Sequence, residues 1–198
     1  MNKFKKLIIF LACGLACASY AADPPPLDMV KQTSVSVLSA LKQNKSHLNN
    51  KQIVFNIVNT IAVPNFDLPG ISRTVVGRNY WEQASEETRR QFIKAFTRYV
   101  IDMYSSALSS YTDETLAFKP MRDYDPSQNR AQVYSTIERR NSPPIALNYR
   151  VIKLGNSWKI YDFTAEGVSM VQSYRSQFAA TLSRGGLAEL TKQLQARK

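Results

Sequence analysis

The sequence predicts an α+β fold in which helices precede and follow a curved antiparallel sheet. Apolar residues recur at helical spacing from about residue 27 to residue 110, strand-like alternation begins at Thr115, and helical spacing returns at residue 168. Short, turn-rich connections between the predicted strands favour a meander, in which each strand pairs with the next. We therefore expect a sheet of four to five strands with helices packed on its concave face.

The first residues are typical of a secretory signal peptide. A basic start is followed by an apolar run, and Ser19 and Ala21 supply small side chains at the −3 and −1 positions of a cleavage site. The apolar run is shorter than the roughly 20 residues that span a bilayer. We expect residues 1–21 to be the signal peptide and residues 22–198 to form a single domain. Lipidation at Cys17 is an alternative, although the preceding residues fit a lipobox poorly.

Charge and cysteine content restrict the classes of function. Lys and Arg number 26 against 15 Asp and Glu, for a formal net charge of +11. Both cysteines lie in the predicted signal peptide, so the exported chain would have no disulfide, thiol nucleophile or thiolate metal site. A basic exported protein is expected to meet anionic lipid headgroups or acidic protein surfaces rather than nucleic acid.

The N-terminal part of the predicted domain indicates a series of helices. A first helix is predicted over 27–46, after a run of prolines, and a second over 50–62, ended by Pro64. Residues 66–70 are predicted to form a turn. A short helix over 70–77 follows, and its last residue is a glycine.

The longest predicted helix covers 85–110 and has two contrasting faces. Ser85 is a favourable N-cap, and the acidic residues in the first turn suit the helix dipole. One face is apolar and comprises Phe92, Phe96, Tyr99, Val100, Met103 and Ala107. Much of the other side is basic and comprises Arg89, Arg90, Lys94 and Arg98. Such a basic side is usually a solvated helix face, and docking on an acidic partner or anionic lipid is the alternative.

The remaining chain predicts strands followed by helix. The strand-like segments are 115–122, 130–139, 144–154 and 157–163. A tight joint at Glu166-Gly167 leads into a helix over 168–183, and Gly185-Gly186 separates this from a helix over 187–196.

Candidate catalytic and metal-binding residues are few. His47 is the single histidine and is predicted to lie in a solvated loop, so no metal site is expected. Asp162 and Glu166 flank the strand-to-helix joint and could act as acid and base. Capping of backbone N–H groups, or pairing with an arginine, is the favoured interpretation. Simple strand alternation places Asp162 on one face with Trp158 and Ile160.

Large apolar side chains on the long helix, the sheet and the last helix remain to be explained. A bulky apolar stripe at helical spacing usually forms a filled core, and periodicity does not distinguish this from the wall of a cavity.

Motifs along the chain resemble the MlaC-type proteins, the toluene-tolerance family of periplasmic phospholipid carriers. The C-terminal matches are Ala165-Glu-Gly-Val-Ser-Met170, Tyr174-Arg175, Phe178, Gly185-Gly-Leu187 and Leu190. Further matches, in order, are Phe66-Asp67, Arg73, Val76-Gly77, Tyr80-Trp81, Ser85, Glu87, Arg90, Phe92, Ala95-Phe96, Tyr104 and Ala107-Leu108. The resemblance covers essentially the whole predicted mature chain. Pro69-Gly70 departs from it, because uninterrupted helix is expected there.

This resemblance implies a non-enzymatic function. The family carries one phospholipid through the periplasm between an outer-membrane lipoprotein–porin complex and an inner-membrane ABC transporter, which keeps phospholipid out of the outer leaflet. It implies bound phospholipid as cargo, no cofactor and a monomer. The implied fold is a cone-shaped sheet related to the nuclear-transport-factor-2-like group, with extra N- and C-terminal helices and with the acyl chains between sheet and helices.

The cavity wall expected on this basis combines apolar residues of the helices and the sheet. It comprises Val75, Val76, Tyr80, Trp81, Phe96, Val100, Met103, Tyr104, Val133, Ile137, Leu147, Tyr149, Val151, Phe163, Val168, Val171, Tyr174 and Phe178. Residues 168–178 are expected to form a lid over the sheet, hinged at Glu166-Gly167. Arg73, Arg150 and Arg175 are the candidates for contact with the headgroup at the mouth.

Two other functions are compatible with the residues. The first is a small isomerase or hydrolase on a similar cone-shaped fold, acting on an apolar substrate through Asp162, Glu166 or a tyrosine. Its distinguishing feature would be a carboxylate that points into the pocket. The second is a basic adaptor with a filled core that binds only a protein or membrane surface.

Overall fold

The computed structural model describes residues 23–110, 114–140 and 142–197. The predicted signal peptide therefore lies outside the described residues. The described chain has an α+β architecture, which confirms the predicted fold class. None of its helices is long and apolar enough to cross a membrane.

Helices occupy both ends of the described chain. They are α1 (Pro25–Gln43), α2 (Lys51–Ile57), α3 (Leu68–Val76), α4 (Arg78–Gln83), α5 (Glu86–Ser109) and α6 (Met170–Ala196). A 3-10 turn at Lys45–His47 follows α1. A π turn at Val58–Ala62 and a 3-10 turn at Val63–Asn65 extend α2 to the point where Pro64 was expected to stop it.

Helix α3 begins earlier than its sequence suggests. The Oδ1 atom of Asp67 accepts a hydrogen bond from the Gly70 N–H at 3.0 Å, and Pro69 lies in the first turn, where no backbone donor is required. The prediction of a turn through residue 70 is therefore wrong, because Asp67 caps a helix that starts at Leu68. Pro69-Gly70 lies inside this helix, so the helix expected from the family resemblance is uninterrupted.

Ser85 caps α5 as predicted. Its Oγ atom accepts a hydrogen bond from the Thr88 N–H at 3.1 Å. Glu86 and Glu87 lie in the first turn, where the helix dipole favours negative charge.

Within the described ranges the strands form one five-stranded antiparallel meander, with each strand beside its neighbours in sequence. The strands are β1 (Thr115–Phe118), β2 (Arg130–Glu138), β3 (Ile145–Leu154), β4 (Ser157–Ala165) and β5 (Val168–Ser169). The first strand is shorter than predicted, and β4 extends beyond residue 163.

A tight hairpin replaces the expected direct joint between the last long strand and α6. Glu166 and Gly167 both have positive φ, at 50° and 79°, which is typical of a two-residue turn between paired strands. Val168 and Ser169 pair back onto β4 and do not begin the helix. The side chain of Ser169 then caps α6 by accepting a hydrogen bond from the Gln172 N–H at 3.2 Å.

A β-bulge changes which residues of β4 share a face. Arg150 pairs with Asp162, whereas the next residue of β3, Val151, pairs with Ile160. Tyr161 is the extra residue, so Asp162 and Ile160 lie opposite neighbouring residues that face different sides of the sheet. The prediction that Asp162 shares a face with Ile160 is wrong for this reason.

The buried residues pack in separate hydrophobic clusters. One cluster lies among α3, α5 and α6 and includes Phe92, Phe96 and Tyr174. Another joins the N-terminal half of α1 to the sheet and includes Val30 and Ile160. We call the cluster among α3, α5 and α6 the helical core. It is distinct from the interface between α1 and the sheet.

Candidate functional site

A cavity of about 480 Å³ lies between α1, the sheet and the C-terminal end of α5. Its size is within the range of small-molecule sites. Most of its wall is aliphatic. The lining residues are Thr33, Ser34, Val37, Leu38, Leu41, Ala62, Phe66, Ala107, Leu108, Ser110, Glu114, Thr115, Leu116, Ile137, Arg139, Ile145, Leu147, Tyr149 and Ile160.

The two main walls follow from the periodicity of helix and strand. On α1, the lining residues fall in positions 33–41 with the three- and four-residue spacing of one helix face. On β3, Ile145, Leu147 and Tyr149 alternate with residues that face the other side of the sheet. The cavity therefore lies where an amphipathic helix does not close completely onto the sheet.

The deep part of the cavity is uncharged. Tyr149 is buried, and this burial raises the pKa of its phenol, with the hydroxyls of Ser34 and Ser135 acting in the opposite direction. The Oγ atom of Ser135 donates a hydrogen bond to the Leu147 carbonyl oxygen at 2.7 Å. Tyr149 therefore stays neutral at physiological pH, which suits an apolar occupant.

Charged and polar side chains meet at one end of the cavity. Arg139 is half-buried there, and its Nε atom donates a hydrogen bond to the Pro143 carbonyl oxygen at 2.9 Å. Glu114 and Ser110 also line this end, where α5 stops and β1 begins. The arrangement allows an apolar molecule to lie inside while a polar group remains at the mouth.

A sequence model of the protein family described as "MlaC protein" matches residues 31–196 of the chain. The chain belongs to the MlaC family.

Named relatives and a solved structure are similar over most of this MlaC-family chain. It is 27% identical over 180 residues to the toluene tolerance protein Ttg2D of Pseudomonas putida, covering 90% of this chain and 82% of that protein. It is 23% identical over 195 residues to the intermembrane phospholipid transport system binding protein MlaC of Haemophilus influenzae, covering 97% and 91%. A phospholipid-binding protein from Ralstonia solanacearum, solved in complex with a phospholipid, is 33% identical with a TM-score of 0.80, covering 89% of this chain and 97% of that one.

The predicted wall residues of this MlaC-family chain divide among different environments. Ile137, Leu147 and Tyr149 line the cavity. The cluster between α1 and the sheet, next to the cavity, contains Val133, Val151 and Phe163. The helical core instead holds Val75, Val76, Tyr80, Trp81, Phe96, Val100, Val171, Tyr174 and Phe178. Contact of any of these residues with a ligand stays a prediction.

Three further predicted wall residues lie elsewhere. Met103 and Val168 are 59% and 58% exposed, so neither lies in an enclosed wall. Met103 lies one helical turn after the buried Tyr99 but lines an open groove that includes the end of α6, and Val168 lies in the short edge strand β5. The hydroxyl of Tyr104 donates to the Sδ atom of Met170 at 3.4 Å, at the start of α6.

The predicted lid packs against α5 and not over the cavity. The ring of Tyr174 meets that of Phe96 edge-on with centroids 5.2 Å apart, and Phe178 meets the same ring at 5.8 Å. Such aromatic pairs add to the free energy gained from burial. This half of α6 is therefore part of the helical core in the structure.

The arginines predicted at the mouth are not among the described residues that line the cavity. Arg73 lies 3.5 Å from a carboxylate oxygen of Glu82, and Arg150 pairs with Asp162. Arg175 is exposed on α6. The arginine that does line the cavity, Arg139, comes directly after the end of β2. It follows Ile137 by two residues, so strand alternation extended by one residue would have placed both on one face.

Asp162 and Glu166 have structural partners, which confirms the capping interpretation. Asp162 accepts hydrogen bonds from the Ser169 hydroxyl at 2.7 Å and the Val171 N–H at 3.2 Å, and lies 3.7 Å from Arg150. Glu166 accepts a hydrogen bond from the Ala146 N–H at 2.6 Å. Neither carboxylate lines the cavity.

The described residues do not form a candidate metal site. Across the described ranges, no three His, Cys, Asp or Glu side chains are grouped so as to hold a metal ion. His47 lies exposed in the 3-10 turn after α1, with its Nδ1 atom 2.9 Å from the Ser46 hydroxyl.

Proposed function

We propose that this chain is a phospholipid carrier that encloses acyl chains in the cavity between α1 and the sheet. The observation that carries the proposal is this cavity, whose aliphatic walls end at a polar mouth beside Arg139. The phospholipid complex of the similar Ralstonia protein supports the ligand class. The name of the Haemophilus relative, which refers to phospholipid transport, supports transport in place of catalysis.

The energetic requirement of a carrier fits an apolar cavity. Two acyl chains contain roughly 30 methylenes, and exposing each to water costs about 0.8 kcal/mol, so an unprotected lipid is disfavoured by more than about 20 kcal/mol. Enclosure of the chains offsets this cost, whereas the phosphate is well hydrated and requires no enclosure. We infer that the headgroup stays at the mouth near Arg139, and this position replaces the three arginines expected from the sequence.

The cavity volume bears on how many acyl chains fit without movement. A methylene occupies about the volume of a water molecule, roughly 30 Å³, so two chains need about 900 Å³. The cavity of about 480 Å³ holds close to one chain. We infer that loading of a diacyl lipid widens the cavity, and the half-buried residues of α1 between Thr33 and Leu38 are the part of the wall best placed to move.

The route of transport belongs to the same proposal. We propose that residues 1–21 direct export, that residues 22–198 act as a monomer in the periplasm, and that the carrier exchanges lipid with an outer-membrane lipoprotein–porin complex and an inner-membrane ABC transporter. This exchange would maintain outer-membrane lipid asymmetry. The Haemophilus relative's name, which refers to an intermembrane phospholipid transport system, supports this role.

The enzymatic alternative loses its two candidate carboxylates. Asp162 and Glu166 are occupied by backbone donors, a hydroxyl and an arginine, and they lie away from the cavity wall. A carrier with no cofactor other than its cargo is the simpler function for this site.

Lipid extraction tests the proposed function. The exported, purified chain is extracted with organic solvent, and the extract is analysed by mass spectrometry. About one phospholipid per chain is the expected result. A chain that carries none and takes none up from phospholipid vesicles would contradict the proposal.

Bulky substitutions in the cavity give a local prediction. Leu147→Trp and Val37→Trp fill space between the sheet and α1, so each should reduce lipid occupancy at least several-fold while the fold is retained. Leu154→Trp on the exposed end of β3 is the matched control and should leave occupancy unchanged. Val171→Trp should instead overpack the helical core and lower the free energy of unfolding by about 1–3 kcal/mol. Full occupancy in both cavity variants would place the lipid elsewhere.

A further inference from the structure

A second concave surface lies on the outer side of α5, away from the cavity. It is a groove of about 1020 Å³ bounded by the start of α2, one face of α5 and the C-terminal end of α6, and it shares no lining residue with the cavity. Along α5 it runs from Gln91 to Met103, a length of about 18 Å at 1.5 Å per residue. We call it the outer groove.

The outer groove is strongly basic. Its lining includes Lys51, Lys94, Arg98 and Arg197, against one carboxylate, Asp102. Asp102 lies 3.4 Å from the Nε atom of Arg98 and so is already paired. Lys51 and Lys94 are both exposed, and neither side chain has a hydrogen bond or ion pair with any described residue. The two lysines therefore leave positive charge available to a partner.

Aromatic contacts hold the arginines of the outer groove in place. The guanidinium of Arg98 lies over the Phe55 ring at 4.9 Å, and that of Arg197 lies over the Tyr99 ring at 5.5 Å. The Tyr99 hydroxyl also receives hydrogen bonds from Arg197 at 3.3 Å and from Gln177 at 3.1 Å. Arginines restrained in this way lose less conformational entropy when they bind a carboxylate.

An apolar side chain completes the outer groove. Met103 is 59% exposed at one end, whereas the other large apolar residues of α5 are buried or half-buried. A flexible thioether at the end of a basic groove suits a ligand that combines negative charge with an apolar residue.

We propose that the outer groove binds an acidic segment of a partner protein, with carboxylates at Lys51 and Lys94 and an apolar side chain on Met103. The length of the groove matches about three turns of helix, and its volume is far larger than a single anion requires. A bilayer surface is the less favoured occupant, because a flat surface would meet the rim lysines and leave the buried floor at Tyr99 uncovered. The proposal is independent of the lipid cargo.

Fluorescence anisotropy with a synthetic peptide tests this proposal. The probe is a fluorescein-labelled peptide of repeated Glu and Leu residues, titrated with the purified chain at low ionic strength. The double variant Lys51→Glu/Lys94→Glu should weaken binding about tenfold or more, since two attractions become repulsions. The matched control, Lys153→Glu/Lys192→Glu, makes the same charge change on exposed positions outside the groove and should bind nearly as the parent does. Met103→Ser should weaken binding about threefold.

The outcomes separate the proposal from its alternatives. Equal loss of peptide binding in the groove variant and its control would mean that only net charge matters, and would overturn it. Failure of the parent chain to bind the peptide would also overturn the proposal. If the parent chain instead co-sediments with phosphatidylglycerol vesicles, and this depends on the same two lysines, the outer groove binds a membrane surface and the proposal is likewise overturned. Lipid content measured on each variant should be unchanged, which keeps this test separate from that of the carrier function.

Discussion

Asp162 shows how one buried carboxylate can organise the junction between sheet and helix. It accepts hydrogen bonds from Ser169 and from the Val171 N–H and lies near Arg150 across the strand pair. An anion at this position is also favoured by the dipole of α6, which begins at Met170. The residue that sequence inspection offers as a candidate acid therefore fixes the direction of the last helix.

Replacement of Asp162 tests this structural role. Asp162→Ala leaves the Val171 N–H and the Ser169 hydroxyl without their acceptor, so the free energy of unfolding should fall by about 2 kcal/mol. Urea denaturation of the variant, monitored by circular dichroism, measures the free energy of unfolding. Asp123→Ala removes the same charge at an exposed position and should change stability by less than about 0.5 kcal/mol. Equal effects of the two substitutions would contradict a capping role for Asp162.

At the scale of elements, α6 depends on one backbone position. Gly186 has φ 66° and ψ −166°, a conformation that is essentially restricted to glycine. The change of direction there brings Leu187, Leu190 and Leu194 back onto the same core as Tyr174. Both halves of the helix thus bury their apolar faces against α3 and α5.

Gly186→Ala should therefore destabilise the protein without any steric clash. A Cβ atom at this position would meet no other atom within 4 Å, so the cost is backbone strain of about 1–3 kcal/mol. Thermal unfolding should detect it as a lower Tm, while Lys192→Ala on the same helix serves as the control and should have little effect. An unchanged Tm would mean that α6 can straighten without losing its packing.

The elements that the sequence predicts well are those with local signals. The N-cap at Ser85 and the joint at Gly185-Gly186 depend on residues next to each other, and both are found where expected. The bulge at Tyr161 depends on pairing between strands and has no local signature. Likewise, the apolar faces of α1 and α6 have similar patterns, and only the three-dimensional packing shows that α1 covers the cavity while α6 joins the helical core.

The whole molecule divides into a tightly packed side and a side with free volume. Stacked and edge-to-face rings join α5 to α6, from the pair Phe92 and Phe96 to the pair Tyr174 and Phe178. On the other side, α1 is anchored through Leu27 and Val30, while its cavity-facing residues from Thr33 to Leu38 are only half-buried. The proposed release of cargo would use this difference, because a wall that moves has to be less stable than its support.

Lipids with one and two acyl chains distinguish a fixed cavity from one that widens. A lysophospholipid should fit the existing volume of about 480 Å³, so residues 33–41 of α1 should keep or gain protection against hydrogen–deuterium exchange. A diacyl phospholipid needs about 900 Å³ at roughly 30 Å³ per methylene and should lower protection in this segment as α1 moves off the sheet. Residues 92–99 of α5, in the helical core, are the internal control and should respond to neither lipid. Identical protection of α1 with both lipids would mean that the second chain lies outside the cavity, and would remove the need for a moving wall.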